Sequence, residues 1–400
     1  MLLVTHFRRG PFIIRMDKDK PPRCEGAERM MTNHNVQAWK KTTKMMTAAV
    51  LTAGLLLPAT AGIGTSGAHA AAASATASTT ASVKVSWNGK ALGANAYQAG
   101  GDTYVPVKAL AKAAGLSLAY DKETGLYELG TSPNALTLSP YESNIWIGAN
   151  GVGLQAEGRT KAGTMYVPLS VLRDYAGIDG TLNAGSIALK PAASPGVTVT
   201  EKTLKSSAAG KDAVINIRYP ELAGSDAGIA KINAALKQHA QSFLKSFEAD
   251  MKEFGALSGE MHYEADANYM ISYNKNGLFS AVMQDYSFYG GAHGGTVQTG
   301  YNFNLKTGAE VTLKQLLKAN PKAFGELDKK VAAAFKKAGS LLSEDGFKTI
   351  GSKPGFYVRN GGFTIFFQQY EYTPYAAGIP SFDFTFASLL PKGTDPFAGL

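Results

Sequence analysis

TYVPVKALAKAAGL at 103–116 and MYVPLSVLRDYAGI at 165–178 are two copies of one pattern, set 62 residues apart. In each, a Gly-containing turn leads to a short strand, a proline opens a short amphipathic helix, and Gly115 or Gly177 closes it. Proline suits the first helical turn because the N–H it lacks would have no partner there. Glycine suits the end because it enters the left-handed region without a Cβ clash. Val107, Leu110, Ala111 and Ala114 share one helical face in the first copy, and Leu169, Leu172 and Ala176 in the second. The segments SVKVSW (82–87), LYEL (126–129), ALTL (135–138), NIWI (144–147) and SIAL (186–189) read as strands around them. Residues 82–190 are expected to form a small α+β domain of two similar halves.

Beyond a Pro/Ala/Ser/Gly break at 191–196, residues 197–400 follow a different pattern. AVINIRY (213–219) reads as a strand. A helix is expected from Asp226 to Phe254, capped by Ser225 or Asp226, because Ile229, Ile232, Leu236, Ala240, Phe243, Phe247, Met251 and Phe254 recur every three or four residues. Strands then pair, NYMISYN (268–274) with LFSAVMQDYSFY (278–289), and FYVRN (356–360) with FTIFFQQYEY (363–372) across Asn360-Gly361-Gly362. Thr312 and Gln315 have capping-box spacing, and a further helix is expected over 322–338 with Phe324, Leu327, Val331 and Phe335 on one side. The expectation for this region is an antiparallel sheet packed by helices, making the whole chain α+β.

The first 81 residues carry no core. Lys40, Lys41 and Lys44 precede the apolar run MMTAAVLTAGLLL (45–57), Pro58, and a small-residue tail ending Ala68-His69-Ala70. That order is the pattern of a secretory signal peptide with an A-x-A cleavage site. Residues 1–70 are read as leader and signal, with the true start at Met30 or Met31, and the Ala/Ser/Thr-rich stretch 71–81 as a linker. The chain is therefore expected outside the cytosol, secreted or cell-wall associated, with no transmembrane segment after cleavage. Of the 40 Lys/Arg and 31 Asp/Glu, ten and four lie before residue 71, so the remainder carries 30 and 27, about +3. That balance gives no basic stripe for nucleic acid. The single cysteine, Cys24, falls in the leader, which excludes a disulfide scaffold, a thiolate nucleophile and Cys-ligated zinc from the mature part.

The doubled YVP…L…AG pattern, its Gly-Asp and Gly-Thr turns and the Asn88-Gly89 hairpin resemble the copper amine oxidase N-terminal-like domain. The resemblance implies an accessory or stalk module of exported proteins in spore-forming Gram-positive bacteria, and neither copper nor amine oxidation. The residues agree: only His239, His262 and His293 follow residue 70, none lies in 82–190, and Asn268-Tyr269 is followed by Met270 rather than an acid. No cofactor and no metal are expected.

Two stretches are candidates for binding. Tyr289-Gly290-Gly291-Ala292-His293-Gly294-Gly295 puts four glycines in seven residues, an entropic cost that points to forced positive φ or close backbone approach. It reads as a binding loop exposing His293 or, equally, as a tight strand connection with a bonded His293. QQYEYTPYAAGIP (368–380) sets three tyrosines around a proline, an amphipathic surface of the kind enriched at protein and glycan contacts. Tyr372, Pro374 and Tyr375 are expected at the surface and Tyr370 half buried in a strand. For catalysis, His293 has Asp285 and Tyr286 nearby in sequence, and Glu260, Glu264, Asp266 and Asp285 supply carboxylates. There is no G-x-S-x-G and no H-E-x-x-H, and no carboxylate spacing selects a pair, so no catalytic residue is assigned. The cluster Gly148–Gly153 lies between strands and is not read as a nucleotide loop.

YGGAHG (289–294), YNFNLKTG (301–308) with TLKQLL (312–317), and FFQQYEYTPYAAGIP (366–380) resemble the extracellular region of RsiV-like anti-sigma factors and the non-catalytic N-terminal part of PdaC-like peptidoglycan deacetylases. In the first group the region implies a lysozyme receptor; in the second it precedes a separate catalytic domain. An anti-sigma factor also needs a sigma-binding segment and a retained membrane helix, and a deacetylase needs a metal-binding domain; neither is read in these 400 residues. The expectation is a non-catalytic envelope binding protein for a lysozyme-like protein or wall glycan. The alternative is a wall hydrolase using His293 and nearby carboxylates.

Overall fold

The computed structural model describes residues 82–193, 196–210, 212–259, 261–339, 341 and 346–400, together with a ribbon of β1 (Val4–His6) and β2 (Pro11–Ile13). The segment expected to be a signal peptide (40–70), the stretch expected to be a linker (71–81), Cys24, residues 194–195 and Glu260 lie outside the described residues. No described helix is long and apolar enough to cross a membrane.

The doubled pattern folds as a doubled structure. β3 (Ser82–Trp87), β4 (Lys90–Ala91), β5 (Ala96–Ala99) and β6 (Asp102–Pro106) lead into helix α1 (Val107–Ala114). β7 (Leu118–Tyr120), β8 (Tyr127–Leu129), β9 (Leu136–Tyr141), β10 (Asn144–Ala149), β11 (Val152–Lys161) and β12 (Thr164–Pro168) lead into α2 (Leu169–Tyr175), followed by β13 (Ile178–Asn183) and β14 (Ser186–Pro191). Pro106 and Pro168 are extended (φ −69° and −60°) and end their strands where the helices start. Gly115 closes α1 at φ 67°; in the second copy Ala176 takes the cap and Gly177, at φ 63°, follows. The two copies pair directly: β6 and β12 are antiparallel, with Tyr104 opposite Pro168, Val105 opposite Val167 and Pro106 opposite Tyr166. The repeat therefore turns about a pseudo-twofold axis through Val105 and Val167, both fully buried. One curved sheet, in the order β13-β14-β3-β5-β6-β12-β11-β10-β9-β8-β7, wraps the core formed by Leu110, Leu136, Leu138, Ile145, Ile147 and Leu172.

The C-terminal region holds two sheets, which corrects the expected single antiparallel one. β15 (Val199–Leu204), β16 (Ala213–Leu222), β17 (Tyr263–Lys275), β18 (Leu278–Phe288) and β19 (Gly295–Asn304) stand in that order, and β16 and β17 run parallel. The reason is α3 (Ala227–Phe254): its 28 residues carry the chain back along the sheet, so the next strand starts at the same end as the last. Asp226 is its N-cap residue, though its side chain makes no cap bond, and Ile229, Ile232, Leu236, Ala240 and Phe247 are buried against Tyr263, Tyr269 and Phe279. The capping box forms at α4 (Leu313–Leu316): Thr312 Oγ1 accepts from Gln315 N, and Gln315 Oε1 accepts from Thr312 N. α5 (Ala323–Ala338) buries Leu327, Val331 and Phe335 over the second sheet, β20 (Gly355–Arg359), β21 (Gly362–Phe366) and β22 (Ser381–Thr385). β21 stops at Phe366; the expected strand through Tyr372 is not formed.

The two regions share a seam. Met270 and Val282, on β17 and β18, are buried within the N-terminal domain's apolar core. The Asn150-Gly151 hairpin turn presses on Arg218: a Cβ on Gly151 would lie 2.8 Å from the guanidinium, and Arg218 Nη2 donates to Asn150 O at 3.2 Å. Ser132 Oγ donates to Glu201 and lies 2.7 Å from Asn150 Oδ1; Arg218 bonds Asn268 and pairs with Glu201 at 3.4 Å. Burial pushes the adjoining Tyr269 hydroxyl up to about 12. The Gly148–Gly153 cluster is thus a strand turn serving the seam.

Candidate functional site

β18 and β19 are joined by the glycine loop, with Ser287 opposite Gly295 and Tyr286 opposite Thr296. Two of its glycines are required. Gly290 sits at φ +83°, and a Cβ there would meet Leu257 at 2.6 Å; a Cβ on Gly294 would lie 2.3 Å from the Tyr286 ring. A Cβ on Gly291 would reach His293 O only at 4.0 Å, an ordinary contact. Tyr289 turns inward: its hydroxyl donates to Asp250 Oδ2 at 2.9 Å, and its ring packs on Phe247, Phe254 and Tyr263. Burial raises its hydroxyl pKa. It anchors the loop on α3 and leaves the outer surface to others.

That outer surface is made by residues from both candidate stretches. His293 is exposed and stacks on Tyr375, ring centroids 3.9 Å apart at 21°, while Tyr370 lies 5.8 Å from Tyr375. His293 Nδ1 is 2.9 Å from Gly294 O, and Nε2 is 3.2 Å from the Tyr370 hydroxyl. A carbonyl only accepts, so in the neutral ring Nδ1 carries the proton and Nε2 accepts from Tyr370. Pro374 is exposed and starts the 3₁₀ turn Tyr375–Ala377. Two tyrosines differ from their expected positions. Tyr372 is half buried, with its ring packed on Phe335, Phe347 and Phe367, and burial raises its hydroxyl pKa. Tyr370, expected half buried in a strand, is 40% exposed at φ 63°. The difference follows from the early end of β21, which stops the strand alternation before either tyrosine.

Two glutamines hold this arrangement. β19 is an edge strand; backbone at Glu310 bridges its free side at Phe303, and nearer its start side-chain amides take the place of a strand. Gln298 N donates to Gln368 Oε1 at 3.0 Å, Gln368 Nε2 donates to Gln298 O at 2.7 Å, and Thr296 N donates to Gln369 Oε1 at 2.8 Å. An amide offers one donor and one acceptor in a plane, as a peptide unit does, so it can stand in for a strand. Glu371 Oε2 accepts from Gln368 N at 2.8 Å, and burial raises its carboxyl pKa. Sequence reasoning passed over Gln368 and Gln369; a Gln pair directly after an apolar strand was the available signal.

Among the described residues, the carboxylates considered for hydrolysis meet other partners. Asp285 lies against His239, with Nε2 2.9 Å from Oδ2, and His239 Nδ1 is 3.0 Å from the Tyr301 hydroxyl. Burial pushes that hydroxyl up to about 12. Tyr286 lies beneath Gly294, Glu264 pairs with His262 at 3.0 Å, and Asp266 accepts from Asn216 at 3.1 Å. Among the described residues no group of three or more His, Cys, Asp or Glu could hold a metal ion.

Three family models match this chain. The copper amine oxidase N-terminal domain matches residues 82–187, deacetylase PdaC 208–296, and a protein family of unknown function, DUF3298, 314–387. Both resemblances read from the sequence are shown, the second divided between the PdaC and DUF3298 models. The division runs through the site: His293 falls in the PdaC match, Gln368 to Tyr375 in the DUF3298 match. Among curated proteins, the peptidoglycan-N-acetylmuramic acid deacetylase PdaC of Bacillus subtilis is 21% identical over 147 residues, 35% of this chain and 32% of that protein. The chain thus spans about a third of the relative's length. Among solved structures, a DUF3298 family member from Bacteroides fragilis matches 49% of this chain and 93% of its own (16% identity, TM-score 0.30). One from Pseudomonas aeruginosa matches 48% and 90% (15% identity, TM-score 0.34).

Proposed function

We propose that this chain is a non-catalytic binding protein of the cell envelope and that it takes its ligand on the His293–Tyr370–Tyr375 face. The observation that carries the reading is the ring stack itself. An exposed imidazole and two tyrosines from distant segments are held by required glycines and an amide clasp, a preorganised aromatic surface that loses little freedom on binding. Aromatic anchors of this kind dominate protein interfaces. The envelope setting is supported by the PdaC and DUF3298 matches and by the leader expected at 40–70. The RsiV-like resemblance favours a lysozyme-like protein as the ligand of this face, with wall glycan the other reading.

The test is calorimetric titration and pull-down with lysozyme and with purified wall. His293→Ala and Tyr375→Ala should each weaken binding by about tenfold or more, the effect of one hot-spot ring. If the parent binds neither probe, or both variants bind as the parent does, the proposal fails. Saturable turnover of peptidoglycan fragments by the parent, lost in His293→Ala, would replace it with the hydrolase.

A further inference from the structure

We infer that the solvent face of the N-terminal sheet is a binding platform for an extended, uncharged glycan chain. This goes beyond the reading above and uses none of its residues. The inner face of this sheet is apolar and buried; the outer face carries a band of rings and planar polar groups. On β5, β6 and β12, Tyr97 stacks on Tyr104 (5.2 Å, 9°) and meets Tyr166 edge-on at 5.0 Å. On β11, Arg159 stands opposite both Tyr166 and Asn144, and Asn144 stands opposite Tyr141. The polar groups form one chain: Arg159 donates to Asn144 Oδ1 at 2.6 Å and to Glu157 Oε2 at 2.7 Å, and Tyr141 donates to Glu157 Oε1 at 3.2 Å. The band crosses five strand intervals, about 24 Å at ~4.8 Å each.

Trp146 decides the ligand class. It is 57% exposed, and its ring passes over the bare backbone of Gly153, where a Cβ would lie 3.5 Å from the indole. The ring thus rests on the strand backbone at van der Waals distance, and more than half of the residue's surface stays in solvent. The electron-rich face of such a ring attracts the polarised C–H face of a pyranose. Asn144, Glu157 and Arg159 beside it offer hydroxyl groups both donors and acceptors. Charge selects among long polymers: Arg159 and Glu157 neutralise one another in the plane, and the Lys161 ammonium is taken up over the Tyr97 ring at 4.9 Å, so the band presents paired and ring-covered charge in place of the single-sign run that would draw a polyanion or a lipid headgroup. A neutral polyhydroxylated chain of several rings fits this length and chemistry.

The experiment is calorimetric titration of the chain with chitohexaose, a neutral extended probe, and cosedimentation with insoluble chitin. The inference expects saturable binding to both, unchanged between low and physiological salt. Trp146→Ala and Tyr141→Ala should weaken it at least about tenfold. Both side chains are exposed, so the variants should keep the parent's melting curve. His293→Ala and Tyr375→Ala should bind chitohexaose as the parent does, which separates this face from the first. Absence of saturable binding to either probe, parent-like binding by Trp146→Ala, or salt-sensitive binding that heparin competes away would each overturn the inference.

Discussion

Replacing Gln368 by Ala tests whether side-chain amides act as the missing strand on β19. Gln298 is 6% exposed, and both its N–H and its C=O are met by the Gln368 amide. The substitution leaves one donor and one acceptor at a nearly dry edge. Each unmet group costs about 1–3 kcal/mol, and because Gln368 is only half buried, water recovers part of that. The expected loss is about 2–3 kcal/mol, or a roughly 30- to 150-fold rise in the local opening constant. Native-state hydrogen exchange at the Gln298 and Thr296 amides reads the opening directly, and urea denaturation reads the global part. Gln368→Glu keeps an acceptor for Gln298 N–H but sets a carboxylate oxygen against Gln298 O, so it should cost at least as much as Ala. If Gln368→Ala changes stability by less than about 0.5 kcal/mol, the ordinary effect of a surface substitution, and leaves Gln298 exchange unaltered, the clasp is not what holds this edge.

Two further outcomes follow from the packing. Gly294→Ala should cost about 1–3 kcal/mol in denaturant titration because its Cβ would enter the Tyr286 ring, whereas Gly291→Ala, whose Cβ would make only an ordinary contact, should stay within about 0.5 kcal/mol. Asp174, on α2, has its carboxyl pKa raised, first by burial, while it accepts from Asn360 Nδ2 at 2.7 Å. A folded-state carboxyl pKa above the unfolded value means that ionisation opposes folding, so this penalty is present at neutral pH and relieved as pH falls through the folded pKa. Asp174→Asn keeps the acceptor and removes the charge; it should stabilise the fold at pH 7 and give progressively less as the medium is acidified, in parallel urea titrations.

The sequence revealed most where a periodic pattern met a backbone requirement. The doubled YVP strand and its proline-opened helix were readable because a ring-locked φ and a left-handed glycine bracket eight residues with one apolar face. α3 was readable over its whole length for the same reason: its apolar stripe spans seven turns. The parallel pairing of β16 with β17 was not, since periodicity gives an element's kind and not its neighbour. β21 was overextended because QQYEY alternates like a strand; the chain leaves the sheet there because Gln368 and Gln369 point their amides at β19 instead. The His293 face was half legible. Its glycines and Tyr375 could be singled out locally, but the stack of residues 293 and 375 depends on a contact between two different sheets.

The seam at Asn150 and Arg218 has a mechanical consequence. With Met270 and Val282 from one domain sealed inside the other's apolar core, the chain carries its two proposed surfaces as points on a ruler, and the connecting residues do not set their spacing. A partner that presents both ligands at the matching separation would be held with a high effective concentration at the second contact, and one that presents them at any other would gain nothing from having two.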